Sequence, residues 1–320
     1  MADARKEVWR TALVLFVGQL LSLLMAVTSF TSSLIAKRVD TPLTQSFFTY
    51  VSLTLVYGAV FLFRRQKLLV PWYWYLALAI VDVQGNYLGV KAYQYTSITS
   101  ATLLDYWTIP WIIILTWFAL GTRYSIAQFL GAATCVAGLG LVLLSDAWDS
   151  TGGKKPLLGD MLVIAGTFFY AFSNVGEEFC VKKKDRVEVL AMLGLFGTLV
   201  SVGEISVFER KDLEAVKWSA TMIALFAVFA ISSVLFYRVM MFVIKLSGVT
   251  LFSLSLLTSD MWAIIIRILY YHQKVDWLYY LAFGVEAVGL VIYSLVVHAK
   301  ASTTSSSTID YSTTSISTVL

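Results

Sequence analysis

The sequence predicts an all-α membrane protein with ten transmembrane helices arranged as two inverted five-helix repeats. Three observations predict it. Apolar residues make up 58% of the chain and charged residues 14%, against roughly 45–50% and about 25% in soluble domains, and mean hydropathy is +0.77. Apolar stretches recur ten times, each near the roughly 20 residues that cross a hydrocarbon layer about 30 Å thick. The halves also echo one another. Lys91 is followed by Thr96 and then Leu103-Leu104-Asp105, while Lys245 is followed by Thr250 and then Leu256-Leu257-Thr258-Ser259-Asp260.

In chain order the expected spans are 11–35, 44–63, 72–93, 97–120, 124–144, 157–180, 187–208, 218–242, 248–270 and 276–298. The first has no charge between Arg10 and Lys37, and the fifth none between Arg123 and Asp146. The third, sixth, seventh, ninth and tenth carry acidic residues. Continuous apolar runs such as Leu13–Phe16 and Ile112–Leu115 contradict the alternation of a membrane β-barrel. The first stretch is too long for a secretory signal peptide and lacks a cleavage site. Pro110 in the fourth span frees the carbonyl of Tyr106 and is expected to kink the helix. Trp72-Tyr73-Trp74-Tyr75 reads as an interfacial aromatic belt.

Basic residues orient the chain. With a cytosolic amino terminus, thirteen lysines and arginines fall on the cytosolic side and eight on the other. The densest clusters, Arg64-Arg65-Lys67 and Lys182-Lys183-Lys184 with Arg186, then share the cytosolic face, and both termini are cytosolic. The organisation expected is a tail at 1–10, a first repeat at 11–144, a second at 157–298, and a disordered Ser/Thr-rich cytosolic tail at 299–320. Five helices followed by five give the halves opposite topology, as in many secondary transporters. Helices three and four then match helices eight and nine.

Several function classes are excluded. Both cysteines, Cys135 and Cys180, lie in apolar segments, so neither a disulfide scaffold nor a cysteine-rich metal cluster fits. His272 and His298 lack metal-ligand spacing, and Gly152-Gly153-Lys154-Lys155 lacks the spacing of a phosphate-binding loop. No enzyme signature, cofactor or metal is expected. Basic residues flank apolar stretches and form no nucleic-acid patch. The expected partners are the lipid bilayer and a small solute, with the protein a monomer or weak homodimer.

Eight acids lie within or at the edges of the spans: Asp82, Asp105, Asp160, Glu177, Glu178, Glu204, Asp260 and Glu286. Intramembrane carboxylates face a cavity or a partner, and eight are too many for passive anchors. The only asparagines, Asn86 and Asn174, are also intramembrane. Asn86 lies four residues after Asp82, and Lys91 four after Tyr87 on another strip. The substrate-binding candidates are Gln84, Asn86, Tyr87, Lys91, Gln94, Asp105, Tyr106, Asn174 and Asp260, an amide, aromatic and charged lining suited to a flat hydrogen-bonding solute. The alternative is that these groups satisfy one another across helices. Asp105 leads the acids; a lysine, a proton or a cationic solute must face it, and Lys91 is nearest in sequence. Glu177 reads equally as a solvated helix end or a functional acid. Glu178 is expected to gate the cytosolic side by meeting Lys245 or Arg238, and Glu204 and Glu286 are expected to be structural.

The stretches Gly85–Thr96, Leu103–Pro110 and Ser173–Phe179 together closely resemble solute carrier family 35, subgroup F, of the drug/metabolite transporter superfamily, over roughly residues 10–298. The resemblance implies ten helices in two inverted repeats around a cavity lined mainly by helices 1, 3, 4, 6, 8 and 9. It implies a secondary transporter working by alternating access. Within the family the subgroup resembles carriers of the 7-deazaguanine base queuine and its nucleoside queuosine, and residence at the plasma membrane is expected ahead of the Golgi. Two other classes stand beside it: a nucleotide-sugar or phosphorylated-metabolite antiporter of the Golgi or endoplasmic reticulum, and a non-transporting receptor or scaffold.

Overall fold

The computed structural model describes residues 2–36, 38–39, 41–65, 68, 70–92, 95, 104–105, 107–146, 156–183, 185–214, 216, 218–259, 262, 265, 280–281, 284–285, 287–293 and 295. Among them nine helices follow one another. They are α1 (Ala2–Ala36), α2 (Pro42–Phe63), α3 (Trp72–Ala92), α4 (Thr108–Ala119), α5 (Ile126–Asp146), α6 (Pro156–Lys183), α7 (Arg186–Phe208), α8 (Ala220–Ser247) and α9 (Val249–Leu257). A short helix, Arg210–Glu214, lies between α7 and α8. Within the expected tenth span, residues 280–281, 284–285, 287–293 and 295 are helical, the rest of it lying outside the described residues. The whole 299–320 tail lies outside them too.

Five of these helices, α1, α2, α6, α7 and α8, are long and apolar enough to cross a membrane. The α3 helix has 21 residues, and α4 is shorter and strongly apolar. Large apolar side chains face outward along the bundle, among them Phe16, Leu55, Phe118, Met161, Leu199 and Ile231. In water such a surface would drive aggregation, whereas a bilayer solvates it. The protein is an integral membrane helix bundle.

Local chemistry sets the helix ends. Pro42 occupies the first turn of α2, where its missing N–H costs nothing. Ser125 and Gln128 cap α5 reciprocally: the Ser125 N–H donates to Gln128 Oε1 at 2.8 Å and the Gln128 N–H to Ser125 Oγ at 3.3 Å. Asp185 accepts from the Val187 N–H at the start of α7, and Ser219 from the Met222 N–H at the start of α8. Gly248, at φ +87°, turns α8 directly into α9, a backbone conformation that favours glycine.

The first helix runs on ahead of its membrane span: it begins at Ala2, because residues 2–10 offer strong helix formers (Ala, Arg, Lys, Glu) and no glycine or proline, while the apolar span within it, Ala12–Ser32, agrees with the expected 11–35. Pro110 lies in the first turn of α4, which starts at Thr108; the expected kink, at the Tyr106 carbonyl, lies outside the described residues.

The helices pack in matched pairs: α1 along α8 and α3 along α6; α2 on α8 and α7 on α3; α4 against α6 and α9 against α1; and α2 against α7. The main apolar core, with Tyr50, Leu53, Leu78, Val83, Val175, Leu190, Met241 and Phe252, fills the space between them.

Candidate functional site

Where α2, α3, α6 and α8 meet, the core becomes polar. Asp82 of α3 is buried, and its carboxylate accepts three hydroxyl bonds from three helices. Tyr50 of α2 donates to Oδ2 at 2.6 Å, Tyr237 of α8 to the same oxygen at 3.0 Å, and Ser173 of α6 to Oδ1 at 3.1 Å. One turn along α3, the Asn86 amide donates to the Asp82 carbonyl at 3.0 Å and to the Tyr50 hydroxyl at 3.2 Å. Asn86 Oδ1 accepts from Tyr170 of α6 at 3.1 Å. On α6, Tyr170, Ser173 and Glu177 follow at helical spacing, so one stripe faces α3. Glu177 completes the cluster, fully buried, and Asp82 acts on it electrostatically.

Small residues let these rings in. Gly197 of α7 lies against Tyr50; a Cβ there would come within 2.5 Å of the ring. Gly85 of α3 does the same for Tyr170, at 3.1 Å. Burying polar groups without partners costs more than a bond contributes, and here most are paired.

Of the residues read from the sequence, Asn86 belongs to this cluster. Gln84, Tyr87 and Lys91 lie on the face of α3 turned to α7: Gln84 donates to Glu204, Tyr87 stacks on Phe208 at 5.9 Å, and the Lys91 ammonium lies 5.3 Å from the Tyr87 ring centre. The pairing of Tyr87 with Lys91 follows the sequence spacing. Asp105 is exposed, just before α4, and its carbonyl accepts from the Thr108 hydroxyl at 2.6 Å. Asn174 is half-buried on α6. Gln94, Tyr106, Asp260 and Glu286 lie outside the described residues. Polar side chains join the end of α9 to α1: Gln19 donates to Thr258 at 3.1 Å, Thr258 to Ser22 at 2.9 Å, and Ser22 to the Ser255 carbonyl at 2.5 Å.

Three further glutamates cap helix starts. Glu178 forms an ion pair with Lys182 and accepts from the Val249 N–H at 2.9 Å, tying the end of α6 to the start of α9. Neither Lys245 nor Arg238, both exposed, forms an ion pair with it in this structure. A cavity of about 210 Å³ opens beside it, bordered by Arg123, Tyr124, Lys182 and Thr250. Glu188 accepts from the Val70 N–H at 3.2 Å and the Tyr75 hydroxyl at 2.9 Å. Tyr75 is therefore buried, while Trp72, Tyr73 and Trp74 are exposed as a belt requires. Glu209 accepts from the Leu43 and Thr44 N–H groups at 2.6 and 2.9 Å.

Sequence reading missed Tyr50, Tyr170, Ser173 and Tyr237. The spacing of Tyr170, Ser173 and Glu177 was the available signal. Among the described residues, no group of three or more His, Cys, Asp or Glu could hold a metal ion.

The family model described as Solute carrier family 35 (SLC35F) matches residues 7–295. Solute carrier family 35 member F2 of Mus musculus is 37% identical over 296 residues, covering 89% of this chain and 79% of its own. The Xenopus tropicalis protein of the same name is 36% identical over 291 residues, covering 86% and 74%. A solved crystal structure superposes with a TM-score of 0.72 over 88% of this chain and 98% of its own, at 18% identity, a likeness of fold. With its membrane helix bundle and its intramembrane cluster of hydroxyl, amide and carboxyl groups, the chain belongs to solute carrier family 35, subgroup F, and is a secondary transporter of a small solute, not an enzyme.

Proposed function

We propose that this transporter carries queuine, queuosine or both across the plasma membrane by alternating access, with both termini in the cytosol. The observation that carries the reading is the cluster around Asp82: two carboxyls, an amide and three tyrosine hydroxyls, and among the described residues no lysine or arginine forms an ion pair with either of those carboxyls. A nucleotide sugar brings a pyrophosphate, which calls for basic groups. A 7-deazaguanine compound brings a flat base, which suits amide and phenol donors, and an amine-bearing arm, which suits carboxylates. Asn86 and the tyrosines take the base in this reading, and Asp105 and Asn174 line the approach.

Ten helices in two inverted repeats, 11–144 and 157–298, frame the site in this proposal. Helix packing supports it: replacing each helix of the first half by the one five later turns α3–α6 into α8–α1, α3–α7 into α8–α2, and α4–α6 into α9–α1, and all of these pack. Asp82 and Tyr237, bonded to each other, are 155 residues apart, one more than the 154 that separates Lys91 from Lys245 on the same two helices. A residue that touches the neighbour of its repeat mate lies close to the pseudo-two-fold axis, where an alternating-access carrier holds its substrate.

Uptake of labelled queuine, queuosine and a nucleotide sugar into cells lacking their own carrier tests the reading. Accumulation of the first two and not the third is expected. Exchange of the nucleotide sugar alone would replace it with the antiporter reading, and transport of none would favour a receptor.

A further inference from the structure

Glu177 stands apart from the bonded cluster around it. It is 0% exposed, and neither carboxyl oxygen has a hydrogen-bond partner among the described residues. Asp82 is buried beside it but satisfied by three hydroxyl donors. The ionisable groups facing the pair are Tyr50 from α2, Tyr237 from α8 and Tyr170 from α6 itself. Glu178, the next acid on α6, turns to Lys182 and α9. From α4, α7 and α9, which also pack on α6, no cation forms an ion pair with either carboxyl among the described residues.

Ser173, one helical turn before Glu177, bonds Asp82, and two buried carboxylates so placed cannot both stay charged. Removing a carboxylate from water without donors or a counter-charge costs several kcal/mol, and a like charge beside it adds to that. Hydroxyl donors stabilise the negative charge on Asp82; among the described residues no donor or cation does so for Glu177. We propose that Glu177 is a proton-binding site, and that the Asp82–Glu177 pair holds in turn one proton or the ammonium group of a cationic solute.

Before solute enters, Glu177 is a neutral acid. When the cavity opens and an ammonium enters, the Glu177 O–H bond breaks and its proton passes to water, while the ammonium balances the new carboxylate. When the solute leaves on the other side, Glu177 takes a proton from water there and the O–H bond re-forms. One cation is exchanged for another. The exchange rests on the cationic-solute reading above; the proton on Glu177 does not.

Infrared spectroscopy of the full-length protein in lipid nanodiscs, without solute, tests the proton. A protonated-carboxyl C=O band is expected at neutral pH that shifts when glutamate is labelled with heavy carbon at Cδ. It should vanish in Glu177→Gln, and in Glu177→Asp a protonated-carboxyl band should persist but lose its sensitivity to the glutamate label. Absence of a label-sensitive band, or its survival in both variants, overturns the proton site. In proteoliposomes, an acidic interior should raise labelled queuine uptake several-fold over equal pH, and Glu177→Gln should lose that stimulation. Uptake indifferent to the gradient overturns the exchange. A Glu177 band in a protein that carries no queuine upholds the proton site and sinks the substrate reading instead.

Discussion

The Tyr50 hydroxyl donates to Asp82 at 2.6 Å and joins α2 to α3 in the centre of the bundle. Tyr237 reaches the same oxygen from α8 at 3.0 Å, so one carboxylate oxygen holds three helices. A hydrogen bond to a charged group contributes about 1.5–3 kcal/mol. Tyr50→Phe and Tyr237→Phe should each lower the thermal unfolding midpoint of the purified carrier. The two losses share one acceptor, so the double variant should depart from additivity. Strict additivity would mean that the donors act independently of Asp82.

Glu209 should be purely structural. Its two oxygens accept from the Leu43 and Thr44 N–H groups and the Thr44 hydroxyl, supplying the cap that the start of α2 lacks from its own side chains. Glu209→Ala leaves buried donors unpaired, at about 1–3 kcal/mol each. Surface expression should fall strongly, while uptake per folded molecule stays unchanged. A variant that expresses normally but transports poorly would move Glu209 into the transport machinery.

These capping glutamates show where the sequence runs out. Both Glu188 and Glu209 sit at span boundaries, where charge counting assigns them to loops, yet both are buried by partners more than a hundred residues away. Glu177 was ambiguous for a related reason: Glu177-Glu178 followed by Lys182-Lys183 has the composition of a solvated helix end, but α6 runs on to Lys183 and carries Glu177 inward. Local relations were legible. Asp82 with Asn86 and Tyr87 with Lys91 are helix neighbours whose contact follows from spacing alone. Tyr50 and Tyr237 were two among seventeen tyrosines, and only the packing of α2 and α8 on α3 and α6 distinguishes them.

Asp105 offers the opposite contrast to Glu209. It is exposed, so Asp105→Asn should change stability by no more than about 0.5 kcal/mol. If it meets the ammonium arm of the solute, uptake should fall sharply at unchanged surface expression. Parallel loss of protein and uptake would assign it a folding role, and undiminished uptake would remove it from the path.

The last prediction concerns the cytosolic gate. Here Glu178 is held by Lys182 and the Val249 N–H, and Gly248 makes room for it, since a Cβ at that position would lie 3.0 Å from Glu178 Oε1. Lys245 occupies the last turn of α8, next to the Gly248 junction. Alternating access requires contacts that form as one side shuts and break as it opens. We expect Glu178 to exchange its present partners for Lys245 or Arg238 when the cavity faces outward. A charged pair suits such a contact, because its Coulomb gain is largely offset by desolvation and neither state becomes a trap. Single neutralisation of Glu178 or Lys245 should bias the carrier towards the inward-open state, as read by cysteine accessibility from the cytosolic side. Combining Glu178→Lys with Lys245→Glu should restore part of the uptake lost in each single variant. Gly248→Ala should also impair cycling, both through its strained φ, which costs about 1–3 kcal/mol in a residue with a side chain, and by crowding Glu178. Additive losses in the Glu178 and Lys245 double-mutant cycle, with no recovery in the exchange, would rule out a direct gate between them.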